Sequence, residues 1–254
     1  MGTGASVEDV GKKQRVFQEL LARCNEIEGA QERFDYIEES GEVLQDILGD
    51  DGDDLTLLAK SSVDLSDTYH SWTLLFCSLI EGLDVETASQ VASLLGKMCK
   101  SPRYRTAIGA AENGRVFTVV MGLLLRAFKL SEEDEDSEVD AVEMAISLFY
   151  LTRENKDNAM VVSRLQQEAA DAGRDDGVIS QLVRMIHVSG FAEVAITVMW
   201  NLSLVWECAP IVHAAGVSAA IIDMLKVEPE GGWGSDDLSD SIDMSMSTLM
   251  RLTR

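Results

Sequence analysis

A helical pattern that returns about every 50 residues is the feature that most limits the folds available to this chain. Four apolar stretches, VASLLGKMC, MAISLFYLT, AITVMWNLS and SMSTLMRLT, each have the spacing of one helix face. Aligned on Met98, Leu151, Leu202 and Leu252, they follow one another at steps of 53, 51 and 50 residues. Such a repeated unit predicts helical modules that bury their apolar faces against their neighbours.

A glycine recurs within these units. Gly114, Gly177 and Gly216 each come just before an apolar run with helical spacing, and a shorter helical stretch precedes Gly114 and Gly216. Glycine adopts the left-handed backbone conformation at little cost and lets two helices approach closely. We therefore predict a sharp reversal between two helices at each of these glycines.

The composition favours helices over strands. Of 254 residues, 46% are hydrophobic but only 6% are aromatic, and there are three prolines. No stretch reaches the roughly 18 uninterrupted apolar residues of a membrane-spanning helix. The four cysteines form no CxxC pair, and we predict free, buried thiols of the kind found in a reducing compartment.

The unit of short helix, glycine, middle helix and long helix resembles the armadillo repeat. The best match is WNLS, residues 200–203, followed by IVHAAGVSAAIIDML, residues 211–225. The resemblance covers about three and a half units between Asp67 and Arg254. It implies an all-α fold, an armadillo-like α-solenoid of stacked helix triplets, with a HEAT-like or irregular solenoid as the alternative. Family units are about 40 residues long, and three insertions here account for the excess: 130–138, 164–176 and 226–241.

Residues 1–60 lack this pattern and are predicted to form a separate segment before the repeats of 61–254. Two amphipathic stretches, the second interrupted near Gly41, precede the acidic linker GDDGDD. We predict a helical pair that caps the first module, because the end of a solenoid must be covered. A hairpin that docks elsewhere is the alternative. The opening MGTGAS also fits an N-myristoylation pattern at Gly2, although a single acyl chain binds membranes only weakly.

Charge and motifs narrow the function classes. The 44 acidic and 21 basic residues give a net charge of −23, which opposes binding to nucleic acid and favours basic partners. His70, His187 and His213 lack metal-ligand spacing, and no nucleophile elbow, phosphate-binding loop or HExxH motif occurs. We therefore expect no enzymatic activity, no cofactor and no metal.

The resemblance also implies a binding surface. In armadillo-like arrays the long helices line a concave groove, and an asparagine near the end of each one contacts the backbone of a bound peptide. The residues at those positions here are Lys97, Tyr150, Asn201 and Arg251. One turn earlier, where nuclear import receptors of the family carry tryptophans, the chain has Ser93, Ile146, Thr197 and Ser247. The missing tryptophan–asparagine ladder argues against a nuclear import receptor.

Lys97, Tyr150, Asn201 and Arg251 form a neutral-to-basic strip along the predicted groove. We therefore expect the groove to bind an acidic or mixed peptide or helix. The alternative is that these four are ordinary solvent-facing residues without a partner. Trp233, in the loop EGGWGSDD, is a candidate interface anchor.

These observations predict a non-enzymatic scaffold or adaptor that binds other proteins through its groove or its acidic surface. A cytoplasmic location is expected, with a nuclear one left open, and acylation of Gly2 would place the chain at the periphery of a membrane. The alternative function is an armadillo-like regulator or chaperone, such as a nucleotide exchange factor, of a small GTPase or an Hsp70-type protein.

Overall fold

The structure, a computed structural model, describes residues 7–48, 64–133, 141–186, 191–226 and 236–252. Within these ranges it contains fourteen α-helices, one short 3-10 helix and no strand, so the predicted all-α class is confirmed. Three N-terminal helices come first: α1 (Val7–Glu26), α2 (Ala30–Glu39) and α3 (Gly41–Leu48). The break between α2 and α3 lies beside Gly41, as predicted.

Eleven further helices lie in the described part of the remaining chain. They are α4 (Ser66–Gly82), α5 (Val85–Cys99), α6 (Arg105–Ala110), α7 (Arg115–Glu133), α8 (Ala141–Thr152), α9 (Lys156–Asp171), α10 (Val178–Met185), α11 (Ala192–Ser203), α12 (Ala209–Ala214), α13 (Val217–Lys226) and α14 (Asp236–Leu252). The 3-10 helix Ala111–Asn113 follows α6.

The helices begin and end for local reasons. The side chain of Asp84 accepts a hydrogen bond from the Thr87 amide at 3.0 Å and caps the start of α5, and Asn155 caps α9 in the same way. The apolar stretches VASLLGKMC, MAISLFYLT and AITVMWNLS end at Cys99, Thr152 and Ser203, which are the last residues of α5, α8 and α11. The helix α14 begins at Asp236, within the predicted insertion 226–241, so part of that insertion belongs to a helix.

Helices about 50 residues apart in the sequence pack side by side in three rows. The long row is α5, α8, α11 and α14, in which each helix contacts the next. The middle row is α4, α7, α10 and α13, and the short row is α6, α9 and α12. The predicted apolar stripe of α11 is fully buried, since Ala195, Val198, Met199 and Leu202 are at most 1% exposed. The rows thus bury faces that no single helix could cover.

The glycine prediction is confirmed at two of three positions. Gly114 and Gly216 have φ angles of 93° and 89°, in the left-handed region. Gly177 was predicted to behave alike, but its φ is −63°. The insertion 164–176 is the cause: it carries α9 on to Asp171, and Gly173, with φ 67°, makes the reversal instead. Gly177 lies instead against the side chain of Gln166, where a Cβ atom would not fit.

The N-terminal helices pack on the first helix of the middle row. Both α1 and α2 contact α4. The Phe17 ring stacks on Trp72 with ring centroids 5.1 Å apart, and Trp72 Nε1 donates a hydrogen bond to the Phe17 carbonyl oxygen at 3.3 Å. These helices share one continuous apolar core with the rows. The predicted boundary at residue 60 lies outside the described residues.

All four cysteines are free and buried, as predicted. Among the described residues no single helix has both the length and the apolar composition to cross a bilayer. One pair bent by 86°, Arg105–Asn113 with Arg115–Leu130, reaches those limits only when its two parts are taken together.

Candidate functional site

The eight predicted groove residues lie on the long row, two on each helix. The structure divides them into different settings. Three of them, Ile146, Tyr150 and Thr197, line a single pocket of about 220 Å³ between α8 and α11. Its other lining residues are Ala145, Phe149, Glu193 and Val194, and we call it the α8/α11 pocket. Only Glu193 among these seven is charged, so the pocket is an apolar depression with one carboxylate.

An arginine lies over each aromatic ring of the α8/α11 pocket. The guanidinium of Arg105 is 5.6 Å from the centroid of Tyr150, and that of Arg153 is 5.5 Å from the centroid of Phe149. At these distances a cation is attracted to the electron-rich face of a ring. Both rings therefore have a cation over one face, while they remain partly exposed in the pocket.

Arg105 is itself held firmly by the ends of two long helices. It is 8% exposed. Its guanidinium donates to three main-chain carbonyl oxygens: Cys99 at 2.8 Å, Lys100 at 3.0 Å and Arg153 at 3.2 Å. A positive charge is favourable at the carbonyl end of a helix. Arg105 therefore joins the C-terminal ends of α5 and α8 and supports Tyr150 at the same time.

Ser93 and Lys97 lie in a different pocket, of about 500 Å³, where α5 faces the N-terminal helices α2 and α3. The N-terminal side contributes Glu38 and Glu42, together with Phe34 and Ile37. Lys97 therefore shares the lining of this pocket with two carboxylates. These carboxylates belong to α2 and α3 rather than to the long row, so the neutral-to-basic character of the row itself stays a prediction.

The structure places Asn201 differently from the expectation of a peptide contact. Its side chain is 1% exposed. Nδ2 donates to the Phe149 carbonyl oxygen at 3.3 Å and to Thr152 Oγ1 at 3.2 Å, so Asn201 joins α11 to α8. The difference arises because successive side chains along a helix are rotated by about 100° from one another. The outward position is that of the preceding residue, Trp200, which is partly exposed.

On α14, Ser247 is partly exposed and Arg251 is exposed, and neither lines the two pockets above. Met246 and Met250 beside them are 48% and 56% exposed. Gly2 and Trp233 lie outside the described residues. In the described chain Trp206 is 77% exposed, in the turn after α11.

Sequence reasoning missed Phe149 and Glu193. Phe149 stands one position before Tyr150, which the armadillo resemblance placed in the groove. Glu193 belongs to the first turn of α11, where an acidic residue is commonly explained by the helix dipole. Only the neighbouring helix shows that this carboxylate borders an apolar pocket.

Chemical groups elsewhere in the described chain do not converge. Among the described residues, no three His, Cys, Asp or Glu side chains come together in a way that could hold a metal ion. His213 Nδ1 lies 3.0 Å from Ser218 Oγ across the reversal at Gly216, and Ser218 is 9% exposed. His70 lies on α4 and His187 lies outside the described residues.

Gly96 controls how closely α5 approaches the α8/α11 pocket. A Cβ atom at this buried glycine would lie less than 3.0 Å from Ile146 Cγ2, and a β-branched side chain in a helix has little freedom to rotate away. We expect Gly96→Ala to lower the free energy of unfolding by about 1–3 kcal/mol, as overpacking does. Urea unfolding followed by circular dichroism measures this.

Two variants make that result specific. Gly122→Ala, in α7 with no atom near the new Cβ, is expected to stabilise the chain by about 0.5–1 kcal/mol. Adding Ile146→Ala to Gly96→Ala should recover part of the loss. Two results would contradict the close approach of Gly96 to Ile146. One is an equal change in stability for Gly96→Ala and Gly122→Ala. The other is a change in the Gly96→Ala/Ile146→Ala double variant equal to the sum of the two single changes.

Comparisons with known proteins leave the family open. A scan against family models finds no match, and a comparison with curated proteins finds none either. Among solved structures, the chain is similar to the crystal structure of an engineered protein from a structural genomics consortium. The two are 13% identical, the TM-score is 0.37, and the match covers 93% of this chain and 96% of the other. A likeness of this size carries no argument about fold or function.

Proposed function

We propose that this chain is a non-enzymatic protein-interaction module, an armadillo-like α-solenoid that binds a segment of a partner protein on its long row. Two features support the solenoid. Steps of 53, 51 and 50 residues recur in the sequence, and helices related by these steps lie next to one another in each row. Arrays of stacked repeats present extended surfaces rather than enclosed sites, and such surfaces suit binding to other proteins. We therefore assign the chain a scaffold or adaptor role.

The observation that carries this proposal is the α8/α11 pocket. It gathers residues of two successive units, and Ile146, Phe149 and Tyr150 remain partly exposed in it. Its volume of about 220 Å³ is below the roughly 300–1,000 Å³ usual for small-molecule and cofactor sites. It therefore fits a single side chain of a protein partner better than a metabolite.

Photo-crosslinking from two threonines tests this proposal. Thr197 lies on the long row and Thr118 is exposed on the middle row; each hydroxyl donates to a main-chain oxygen within its own helix, which makes the sites comparable. A diazirine amino acid about the size of leucine, small enough not to fill the pocket as a tryptophan would, is placed at either site, and the chain is irradiated in native lysate. We expect discrete crosslinked partners from position 197 and none of the same partners from 118. Partners captured only from 118, or equally from both, would contradict binding on the long row.

A further inference from the structure

We infer that the partner segment inserts one large apolar side chain into the α8/α11 pocket and places a lysine or arginine, one or two residues away, against Glu193. This inference rests on the proposed function and names the chemistry of the partner. It differs from the acidic or mixed peptide that the sequence suggested.

The pocket selects an apolar group for two reasons. Six of its seven lining residues are uncharged, and they include the aliphatic Ile146 and Val194 and the rings of Phe149 and Tyr150. Arg105 and Arg153 already lie over those rings, so a cation entering the pocket would meet two positive charges. Burial of an aliphatic or aromatic side chain there gains the usual free energy of removing apolar surface from water.

The basic residue of the partner has a separate place. Glu193 is exposed at the edge of the pocket, and within the described residues its carboxylate has no ion-pair partner. The net charge of −23 also attracts a basic segment at long range and repels an acidic one. Together the pocket and the carboxylate define a pattern of one apolar anchor and one nearby cation.

Selection from a library of random peptides displayed on phage tests this pattern. The full chain is the target. The Thr197→Trp variant, whose new side chain fills the pocket, is used for counter-selection, and peptides that still bind it are discarded because they bind elsewhere. Thr197→Arg serves as a second blocking variant, and circular dichroism checks that both remain folded. A peptide of the selected consensus is then synthesised and its binding measured by fluorescence anisotropy.

We expect a consensus with a large apolar residue and a lysine or arginine within two positions of it. Blocking the pocket should raise the Kd of the synthetic peptide by about tenfold or more, as expected for removal of an anchor site. Glu193→Gln should raise the Kd by about two- to fivefold, as for loss of an exposed ion pair, and should make the Kd less dependent on salt concentration. Asp157→Asn, an exposed acid in the first turn of α9, is the matched control and should have no effect.

The outcomes separate this inference from the proposed function. An acidic consensus, a consensus without an apolar anchor, no enrichment over the blocked variant, or binding that Glu193→Gln leaves unchanged would overturn the inference. If such a peptide still crosslinks from position 197, binding on the long row stands. Crosslinking of the selected peptide only from position 118 would overturn the proposed function as well. The chain could instead self-associate through this pocket, which analytical ultracentrifugation would show and Thr197→Trp would abolish. The occupant would then be a second copy of the chain rather than a basic peptide, and the inference would be overturned.

Discussion

Replacing Arg105 by alanine is expected to lower the free energy of unfolding by about 3–5 kcal/mol. The guanidinium donates to three carbonyl oxygens at the ends of α5 and α8, and it is 8% exposed. A buried acceptor that loses its donor costs about 1–3 kcal/mol, and the two partly buried oxygens recover some of this from water. Urea unfolding followed by circular dichroism gives the change directly.

Two further variants distinguish this role from a general effect of charge. Arg105→Lys should lie between the wild type and alanine, because an ammonium group cannot reach three oxygens that a planar guanidinium spans. Arg184→Ala removes an exposed arginine that pairs with Asp175 on the surface, and it should change stability by less than about 0.5 kcal/mol. A loss below about 1 kcal/mol for Arg105→Ala would contradict the joining of the two helices.

The chain should lose about 2.5 kcal/mol or more of stability between pH 8 and pH 10 through the buried thiols of Cys24 and Cys77. Burial raises the pKa of the Cys24 thiol from 9.0 to about 11 and that of Cys77 to about 12. Burial also raises the pKa of the Cys99 and Cys208 thiols. The folded chain therefore keeps protons that the unfolded chain loses above pH 9.0, and stability falls as the pH rises towards the folded pKa values.

A single variant isolates one thiol. The Cys77 thiol accounts for about 1.4 kcal/mol of the loss between pH 8 and pH 10. Cys77→Ala should be less stable than the wild type at pH 8 because it leaves a cavity, yet its further loss at pH 10 should be smaller by that amount. An alkaline loss equal in both proteins would show that Cys77 does not remain protonated in the folded chain.

The features of the fold that could be predicted are those set by local sequence. The ends of α5, α8 and α11 follow from apolar spacing, and the reversals at Gly114 and Gly216 follow from the need for a residue that tolerates positive φ. The departure at Gly177 depends on the extra length of α9. An insertion shifts the reversal to Gly173, and periodicity alone does not show where within the insertion it falls.

The candidate site was predictable only in part. A shift of one residue in the alignment moves the assigned position about 100° around the helix, and this changes which face it lies on. The long helices were assigned correctly, and Ile146, Tyr150 and Thr197 do line one pocket. Asn201 was taken to face outward, but it lies about 100° away, on the face that contacts α8. Glu193 is a candidate binding residue only because it borders a pocket formed with residues of α8, which lie 43 or more positions away in the sequence. A local sequence pattern does not show such a contact.

The crystal structure of the chain with the selected peptide is the most direct test of binding on the long row. We expect the peptide to cross α8 and α11, with its apolar side chain between Ile146 and Thr197 and its basic group within 4 Å of the Glu193 carboxylate, the ordinary limit for an ion pair. A peptide bound to the middle or short row, with the α8/α11 pocket left open, would contradict the account.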